Sequence, residues 1–380
     1  MVQTNTLIVG SSIAGLACAG ALSRQGVEYV IIEKEAQIAL PWRNHYERLH
    51  LHTNKSLSSL PYKKFDKNIP RYASRLQVIE YLENYKTVFN INPGFNTEAT
   101  LITKDNESWI IETNNGTYKS KYLVIATGQY SKPKKISIKG MENFTGAILH
   151  SNKYKTGRSF KGQKVLVIGF GNSACEIALD LYEQGAAPSM SVRSGVNIIP
   201  RDLLGIPILK ISFLMSRLPV RLADAINNLL MKLLFGNLKK LGLKKKQYGT
   251  FEQIQKDGTI PLIDIGTIKE IRKGNIKIFE EINYIDGKTV YFSNRKSEYF
   301  DAIIAAIGYE PSYSSIMKLE KEQIVDLRKR SSRQNFFGKN GLYFCGFYTS
   351  PTGVIHEIAS EAKKIAKDIF GRLKNSVTKI

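Results

Sequence analysis

A chain of 380 residues, 43% hydrophobic and 23% charged, carries enough apolar material for two or more cores, which excludes a single small binding module. Its net charge of +22 fits nucleic acid, an anionic membrane surface or acidic cofactors as partners and does not choose among them. No apolar run approaches the roughly 18 residues of a membrane span and the N-terminus has no signal-peptide layout, so a cytoplasmic protein is expected.

The first predicted strand is TLIVG, Thr6 to Gly10, followed by a small-residue helix from about Ser12 to Gln25 and a second strand, EYVIIE, ending at Glu33. This is a βαβ unit whose turn, Gly10 to Gly15, matches the G-x-G-x-x-G fingerprint with Ser12 in the middle glycine position. A small serine still lets backbone approach a pyrophosphate on the helix N-terminus, where free N–H groups and the helix dipole favour negative charge. Glu33 stands where a carboxylate accepts ribose hydroxyls and would repel a 2′-phosphate, so this unit suits FAD better than NADP. Gly10, Ser12, Gly15, Glu33 and the adjacent Lys34 are its candidate cofactor residues.

Further on, YLVIATG (Tyr122 to Gly128) ends in Thr127 and Gly128 and reads as a strand crossing between domains. KVLVIG (Lys164 to Gly169) then opens a second βαβ unit, with G-x-G-x-x-A at Gly169 to Ala174 and a helix to about Gly185. Its next strand ends at Arg193, followed by Ser194, a pair suited to the 2′-phosphate of NADP. Two fingerprints with opposite charge at the ribose end thus divide the labour between FAD and NADPH, and a nucleic-acid-binding protein would leave both unexplained.

From Leu203 to Phe251 the only acid is Asp224, against nine lysines and arginines interleaved with apolar residues at helical spacing. The preferred reading is helices with an apolar face in the core and a solvated basic face; peripheral membrane contact is the alternative. FDAIIAAIGYEP (Phe300 to Pro311), containing Gly308, reads as another domain crossing, and GLYFCGFYTSPTG (Gly341 to Gly353), containing Gly346, as a strand and turn entering a last helix near Val354. Cys18, Cys175 and Cys345 lie far apart in apolar segments, so buried thiols are expected and no CxxC pair or disulfide framework is available. No catalytic triad, paired carboxylates or metal cluster stands out, and no metal is expected.

Between the two units stands FTGAILHSNKY, in which Phe144, Gly146, His150 and Tyr154 fit F-x-G-x-x-x-H-x-x-x-[YF], a pattern expected about 10⁻³ times in a chain of this length at average composition. It resembles the fingerprint of the flavin-containing monooxygenases. Blocks in collinear order along nearly the whole chain resemble the YUCCA-type indole-3-pyruvate monooxygenases: WRNHYERLHLHTNK (Trp42 to Lys55), SNKYKTG (Ser151 to Gly157), GNSACEIALDLYEQGAAPSMSVRSGVNIIPRDLLG (Gly171 to Gly205), GTIPLIDIG (Gly258 to Gly266) and IKIFEEI (Ile276 to Ile282). Departures fall at Ser12, at AIGY (Ala306 to Tyr309) in place of ATGY, and at GFYTSPTG, which replaces the family's GFTRRGL-like segment.

The resemblance implies an α/β fold of two dinucleotide-binding, Rossmann-like domains, the NADPH domain inserted into the FAD domain. The expected limits are 1–155 and 301–380 for the FAD domain and 156–300 for the NADPH domain, with a basic helical insertion at 203–250. It implies that NADPH reduces FAD and that dioxygen then yields a C4a-(hydro)peroxide, the cofactor carrying the reactive chemistry. Oxidative decarboxylation of a 2-oxo acid such as indole-3-pyruvate is the expected outcome; N- or S-oxygenation of a soft nucleophile, or an oxidase or reductase without oxygen transfer, is the alternative. It further assigns His150 an organising role, Asn54 a place beside the isoalloxazine, Trp42 and Tyr46 the flavin pocket, Arg201 the NADP phosphates, and Gly169, Gly171, Asn172 and Ser173 the NADPH turn. Oligomeric state is left open.

Overall fold

The computed structural model describes residues 1–130, 132–310, 313–317 and 337–377; Pro311, the end of one expected strand, lies outside them. In chain order the elements used below are β1 (Val2–Val9), α1 (Ile13–Arg24), β2 (Val30–Ile32), α2 (Arg75–Val88), β3 (Ala99–Asp105), β4 (Ser108–Thr113) and β5 (Gly116–Ile125). There follow β6 (Ala147–His150), β7 (Lys164–Ile168), α3 (Asn172–Glu183), β8 (Ala187–Ser191), α4 (Ile208–Met215), α5 (Val220–Phe235), α6 (Thr250–Asp257), β9 (Lys277–Phe279), β10 (Ala302–Ala305), β11 (Leu342–Phe344) and α7 (Val354–Val377).

The fold is mixed α/β and divides into two compact units: Met1–Arg43, Thr53–Lys132 and Glu310–Ile380 form the first, Asn44–His52 and Pro133–Tyr309 the second. The expected limits of 155/156 and 300/301 are therefore shifted. The reason is strand pairing: β10 lies between β6 and β7, bonded in parallel to Ala147–His150 on one side and Val165–Ile168 on the other. β5 and β10 are each strands of their own unit's sheet, and the chain changes unit soon after each, between Lys132 and Pro133 and between Tyr309 and Glu310, the second change falling inside the segment 300–311 expected as a crossing.

The first unit's sheet runs β2-β1-β5-β4-β3, with β11 paired in parallel to the C-terminal end of β5. Leu7, Ile8 and Val9 of β1 are buried among β2 and β5, as expected of an apolar run in a parallel strand covered on both faces. Residues Ala14 to Leu22 of α1 are all buried, which explains why this helix is small and apolar all round rather than striped. Ser74 and Gln77 form a capping box at the start of α2.

The second unit's sheet is wholly parallel, in the order β9-β8-β7-β10-β6. Val165, Val167, Ile177, Leu181, Met190 and Ile304 build its core between the sheet and α3. The basic stretch forms α4 and α5, and here the structure reverses the expected packing. The buried residues of α5 are Ala223, Asp224 and Asn227, whereas Leu222, Ile226, Leu229 and Leu233 are exposed. Asp224 turns inward because it accepts the backbone N–H groups of Phe251 (2.8 Å) and Glu252 (3.0 Å) at the start of α6, donors that no earlier turn of that helix can satisfy. Among the described residues no helix is long and apolar enough to cross a membrane.

Candidate active site

The two glycine turns are copies of one construction. Gly10 has φ of +103° and Gly169 of +120°, a region that side chains disfavour. Each donates its N–H to the end of the neighbouring strand, Gly10 to Ile32 O (2.8 Å) and Gly169 to Ser191 O (3.0 Å). A Cβ on Gly10 would lie 2.8 Å from Ala126 O, and one on Gly169 would lie 2.6 Å from Ala306 O. These carbonyls follow β5 and β10, the strands that occupy the same place beside β1 and β7. The chain therefore passes from strand to helix so close to the next strand that only glycine fits.

The helices that begin there, α1 and α3, have Ser12 and Gly171 as N-caps, and neither receives a side-chain cap. Ser12 would ordinarily accept an N–H of the first turn; its hydroxyl does not do so, which leaves those donors for an anion at the positive end of the helix dipole. A Cβ on Gly171 would meet nothing within 4 Å, so a serine in the matching position of the first unit is sterically tolerated. The substitution at Ser12 thus leaves the turn's geometry intact.

The ends of the second strands differ as their charges require. Glu33 Oε2 accepts Ser11 N (2.6 Å) and Ser11 Oγ (3.0 Å), and Oε1 accepts Glu35 N (3.2 Å), so the carboxylate braces the first turn itself. Lys34 reaches only Glu35, at 3.6 Å. In the second unit Arg193 and Ser194 are exposed, and Arg193 Nε stands 3.8 Å from Glu281, a loose surface pair. Arg201 Nε lies 3.3 Å from Asp202. Asn172 Oδ1 accepts Ile263 N (2.8 Å), tying the start of α3 to the neighbouring strand Leu262–Asp264; its role is in the scaffold of the turn.

Whether the first unit fits a flavin can be judged from unmet polar atoms. Thr127 Oγ1, Gln129 Nε2 and Thr349 Oγ1 are buried and have no hydrogen-bond partner within the protein. Such atoms are costly unless a ligand or water meets them. All three follow the carboxyl ends of β5 and β11, beside the Gly10 turn, the edge at which open α/β sheets bind nucleotides. Gly128 and Gly346 occupy the same edge with φ of +76° and +83°. Gly346 donates its N–H to the buried Glu361 of α7 (2.9 Å), and a Cβ there would lie 2.9 Å from Ala14 of α1. The donors and acceptors present suit a polar, planar nucleotide cofactor. Gln129, Thr349 and Arg75, whose Nε is also unpartnered, were not singled out from the sequence; their place just after strand ends was the available signal for the first two.

Asn54 is buried and caps the short 3₁₀ turn Lys55–Leu57, its Oδ1 accepting Leu57 N (3.0 Å) and Ser56 Oγ (2.9 Å). Its capping bonds use the oxygen and leave the amide nitrogen as the group that could face a ligand. Trp42, half-buried in the turn Leu40–Arg43, is held through its carbonyl by Arg75 Nη1 (3.4 Å).

Tyr46 belongs to the second unit's core, 2% exposed, and its hydroxyl donates to Glu176 of α3. His52 Nε2 reaches the other oxygen of that buried carboxylate at 2.7 Å. Burial first, then the Glu176 charge, push the Tyr46 phenol well above its ordinary range, so it remains a donor. Tyr154 of the linker motif is likewise buried, donating to Asp180 Oδ2 (2.5 Å), which also accepts Gly157 N (2.8 Å). His150 Nε2 is 3.3 Å from Gly308 O, while its Nδ1 accepts Asn152 N at 3.2 Å, a pattern that the Nε2–H tautomer satisfies. Gly308, with φ of +87°, repeats in the second unit the position of Gly128 in the first. All three cysteines are free and buried, and burial raises the Cys175 thiol well above its ordinary value.

Residues 7–200 match the family model described as pyridine nucleotide-disulphide oxidoreductase, a family of dinucleotide-binding domains. The chain is 37% identical over 368 residues to the probable indole-3-pyruvate monooxygenase YUCCA4 of Arabidopsis thaliana, covering 96% of this chain and 89% of that protein. It is 34% identical over 370 residues to the indole-3-pyruvate monooxygenase YUCCA1 of Oryza sativa subsp. japonica, covering 96% and 90%. The flavin-containing monooxygenase from Stenotrophomonas maltophilia superposes with a TM-score of 0.72 over 98% of this chain and 100% of that one, at 17% identity, a likeness of fold alone. With its sequence similarity carried along almost the full length, and with two glycine turns built alike, the chain belongs to the flavin-containing monooxygenase family, among its YUCCA-type members, and is an oxidoreductase.

Proposed function

We propose that this enzyme is an FAD-containing, NADPH- and O2-dependent monooxygenase that oxidatively decarboxylates a 2-oxo acid such as indole-3-pyruvate. The observation that carries the cofactor assignment is the matched pair of turns with opposite ribose-end chemistry, Glu33 in one and Arg193 in the other. FAD belongs to the first unit, where Glu33 faces ribose hydroxyls and Thr127, Gln129 and Thr349 offer unmet polar atoms. NADPH belongs to the second, which makes it an NADPH domain inserted in the chain of an FAD domain. The substrate class follows the names carried by relatives at 34–37% identity.

A bound flavin would accept two electrons from the nicotinamide and deliver one atom of dioxygen to the substrate. This chain's residues supply the rest. Unpaired N–H groups at the starts of α1 and α3 hold pyrophosphates, Arg193 and Ser194 select the 2′-phosphate, and Asn54 offers an amide donor from a buried position. The Tyr46–Glu176–His52 cluster keeps the first turns of α3 rigid beneath the NADPH turn. The overall balance is one 2-oxo acid, one O2, one NADPH and one proton giving the shortened acid, CO2, NADP⁺ and water. Anaerobic titration of the purified protein tests the assignment. NADPH should bleach its flavin absorbance far faster than NADH, and a colourless protein, or equal rates for both nucleotides, would remove it.

A further inference from the structure

The helices α4 and α5 present an apolar surface where the chain is most basic. On α5, Leu222, Ile226, Leu229 and Leu233 recur at intervals of four, three and four residues and form one stripe, with Leu229 63% and Leu233 75% exposed. Monomeric soluble proteins rarely leave such a contiguous stripe in water. The rotation of the helix is fixed by polar contacts on the opposite side. Asp224 caps α6, Asn227 Nδ2 donates to Thr250 Oγ1 (3.0 Å), and a Cβ on Gly249 would strike Asp224, so α5 cannot turn its leucines inward without breaking this lock.

Further apolar side chains are exposed in the preceding segment, Leu214 on α4 and Leu218 in the turn beyond it, where Arg217 lies over the Phe213 ring at 5.3 Å. Arg221 and Lys232 border the leucine stripe along one side of α5. Asp224, the one acid between Leu203 and Phe251, is buried and already bonded, so the solvent side of this region carries cations and apolar groups with no anion among them.

We propose that this face docks on an anionic lipid surface, the leucines entering the acyl boundary while Arg217, Arg221 and Lys232 meet the headgroups. The combination of an outward apolar row, long cationic side chains at its border and no exposed acid within the stretch from Leu203 to Phe251 is what interfacial helices require. A second copy of the chain fits less well: a two-fold axis through the stripe would bring the same cations together with no acidic residue of the region to meet them.

The test is flotation of the full-length, flavin-loaded protein with phosphatidylcholine vesicles, with and without phosphatidylglycerol, at low and high salt. The wild type should float only with the anionic vesicles and less at high salt. Leu229→Gln with Leu233→Gln should weaken binding on the order of 100-fold, from the loss of two buried leucines. Arg221→Glu with Lys232→Glu should weaken it about tenfold. Leu229→Trp, which keeps the stripe apolar, should shift its emission to the blue when anionic vesicles are added. Absence of flotation would overturn the proposal, as would a leucine double variant that binds as well as the wild type, since that would mean diffuse attraction by the +22 charge. A wild-type dimer that the leucine double variant dissociates, with no blue shift on lipid, would instead assign the face to a second copy.

Discussion

The two glycine turns share a backbone and differ in side chains, and those differences separate scaffold from specificity. Both need glycine at the first position, because Ala126 O and Ala306 O stand where a Cβ would go. At the last position they diverge: a Cβ on Gly15 would lie 1.8 Å from Gly10 O, whereas the second unit carries Ala174, fully buried, in the corresponding place. They differ again in charge at the end of the second strand, Glu33 bonded back into its turn and Arg193 projecting into solvent. Under the proposed function, what is common would hold a pyrophosphate and what differs would decide which nucleotide carries it.

The largest effect expected from breaking this comparison is at Gly15. Gly15→Ala should destabilise the first unit by at least about 3 kcal/mol, since a backbone carbonyl must move, and should empty it of flavin. Ala174→Gly in the other turn should cost only about 1 kcal/mol of helix stability. Thermal melting and flavin content per chain measure both, and similar losses at the two sites would show that the turns are less different than their geometry states. Arg193→Ala comes next. It should weaken NADPH by about 1.5 to 3 kcal/mol, roughly 10- to 150-fold in KM, while leaving NADH unchanged. Equal losses for the two nucleotides would contradict the division of labour.

Asn54 lies in the first unit, the one proposed to hold the flavin. Asn54→Ala should cost about 1 kcal/mol through the lost 3₁₀ cap and raise the share of NADPH oxidised to hydrogen peroxide. Unchanged coupling between NADPH use and product, together with the stability loss, would leave it a cap and nothing more. The smallest effect is expected at Glu281, which faces Arg193 across 3.8 Å. Glu281→Gln should tighten NADPH by about 0.5 kcal/mol by freeing the guanidinium, and weaker binding would show that Glu281 orients Arg193 instead of competing for it.

The turns were legible in the sequence because their constraint is local: glycine is required by the backbone within a few residues of its own strand. The charges of Glu33 and Arg193 were legible for the same reason, each lying a fixed distance beyond its glycines. Pairings over long separations were not. The segment Asn44–His52 joins the second unit because Tyr46 and His52 meet Glu176, more than 120 residues away, and no periodicity announces that contact. The pairing of the short strands β6 and β10 is not legible, because four-residue strands take their partners from tertiary packing. The reversal of α5 had a faint signal in Asp224 and Asn227, polar residues three apart within an apolar helix, but only the location of α6 makes them the inward face. The sequence offers the place of Thr127, Gln129 and Thr349 just after strand ends, but not that their polar atoms lack partners, because that is a property of the whole fold.

The most direct test of the enzyme's proposed reaction is turnover of indole-3-pyruvate with NADPH under ¹⁸O2, with product, CO2 and NADPH counted together. Indole-3-acetate carrying one ¹⁸O atom, with one CO2 released per NADPH consumed, is the predicted result. NADPH consumption that yields only hydrogen peroxide, with the 2-oxo acid recovered intact, would contradict it, as would oxygen transfer to a thioether or tertiary amine but not to the 2-oxo acid.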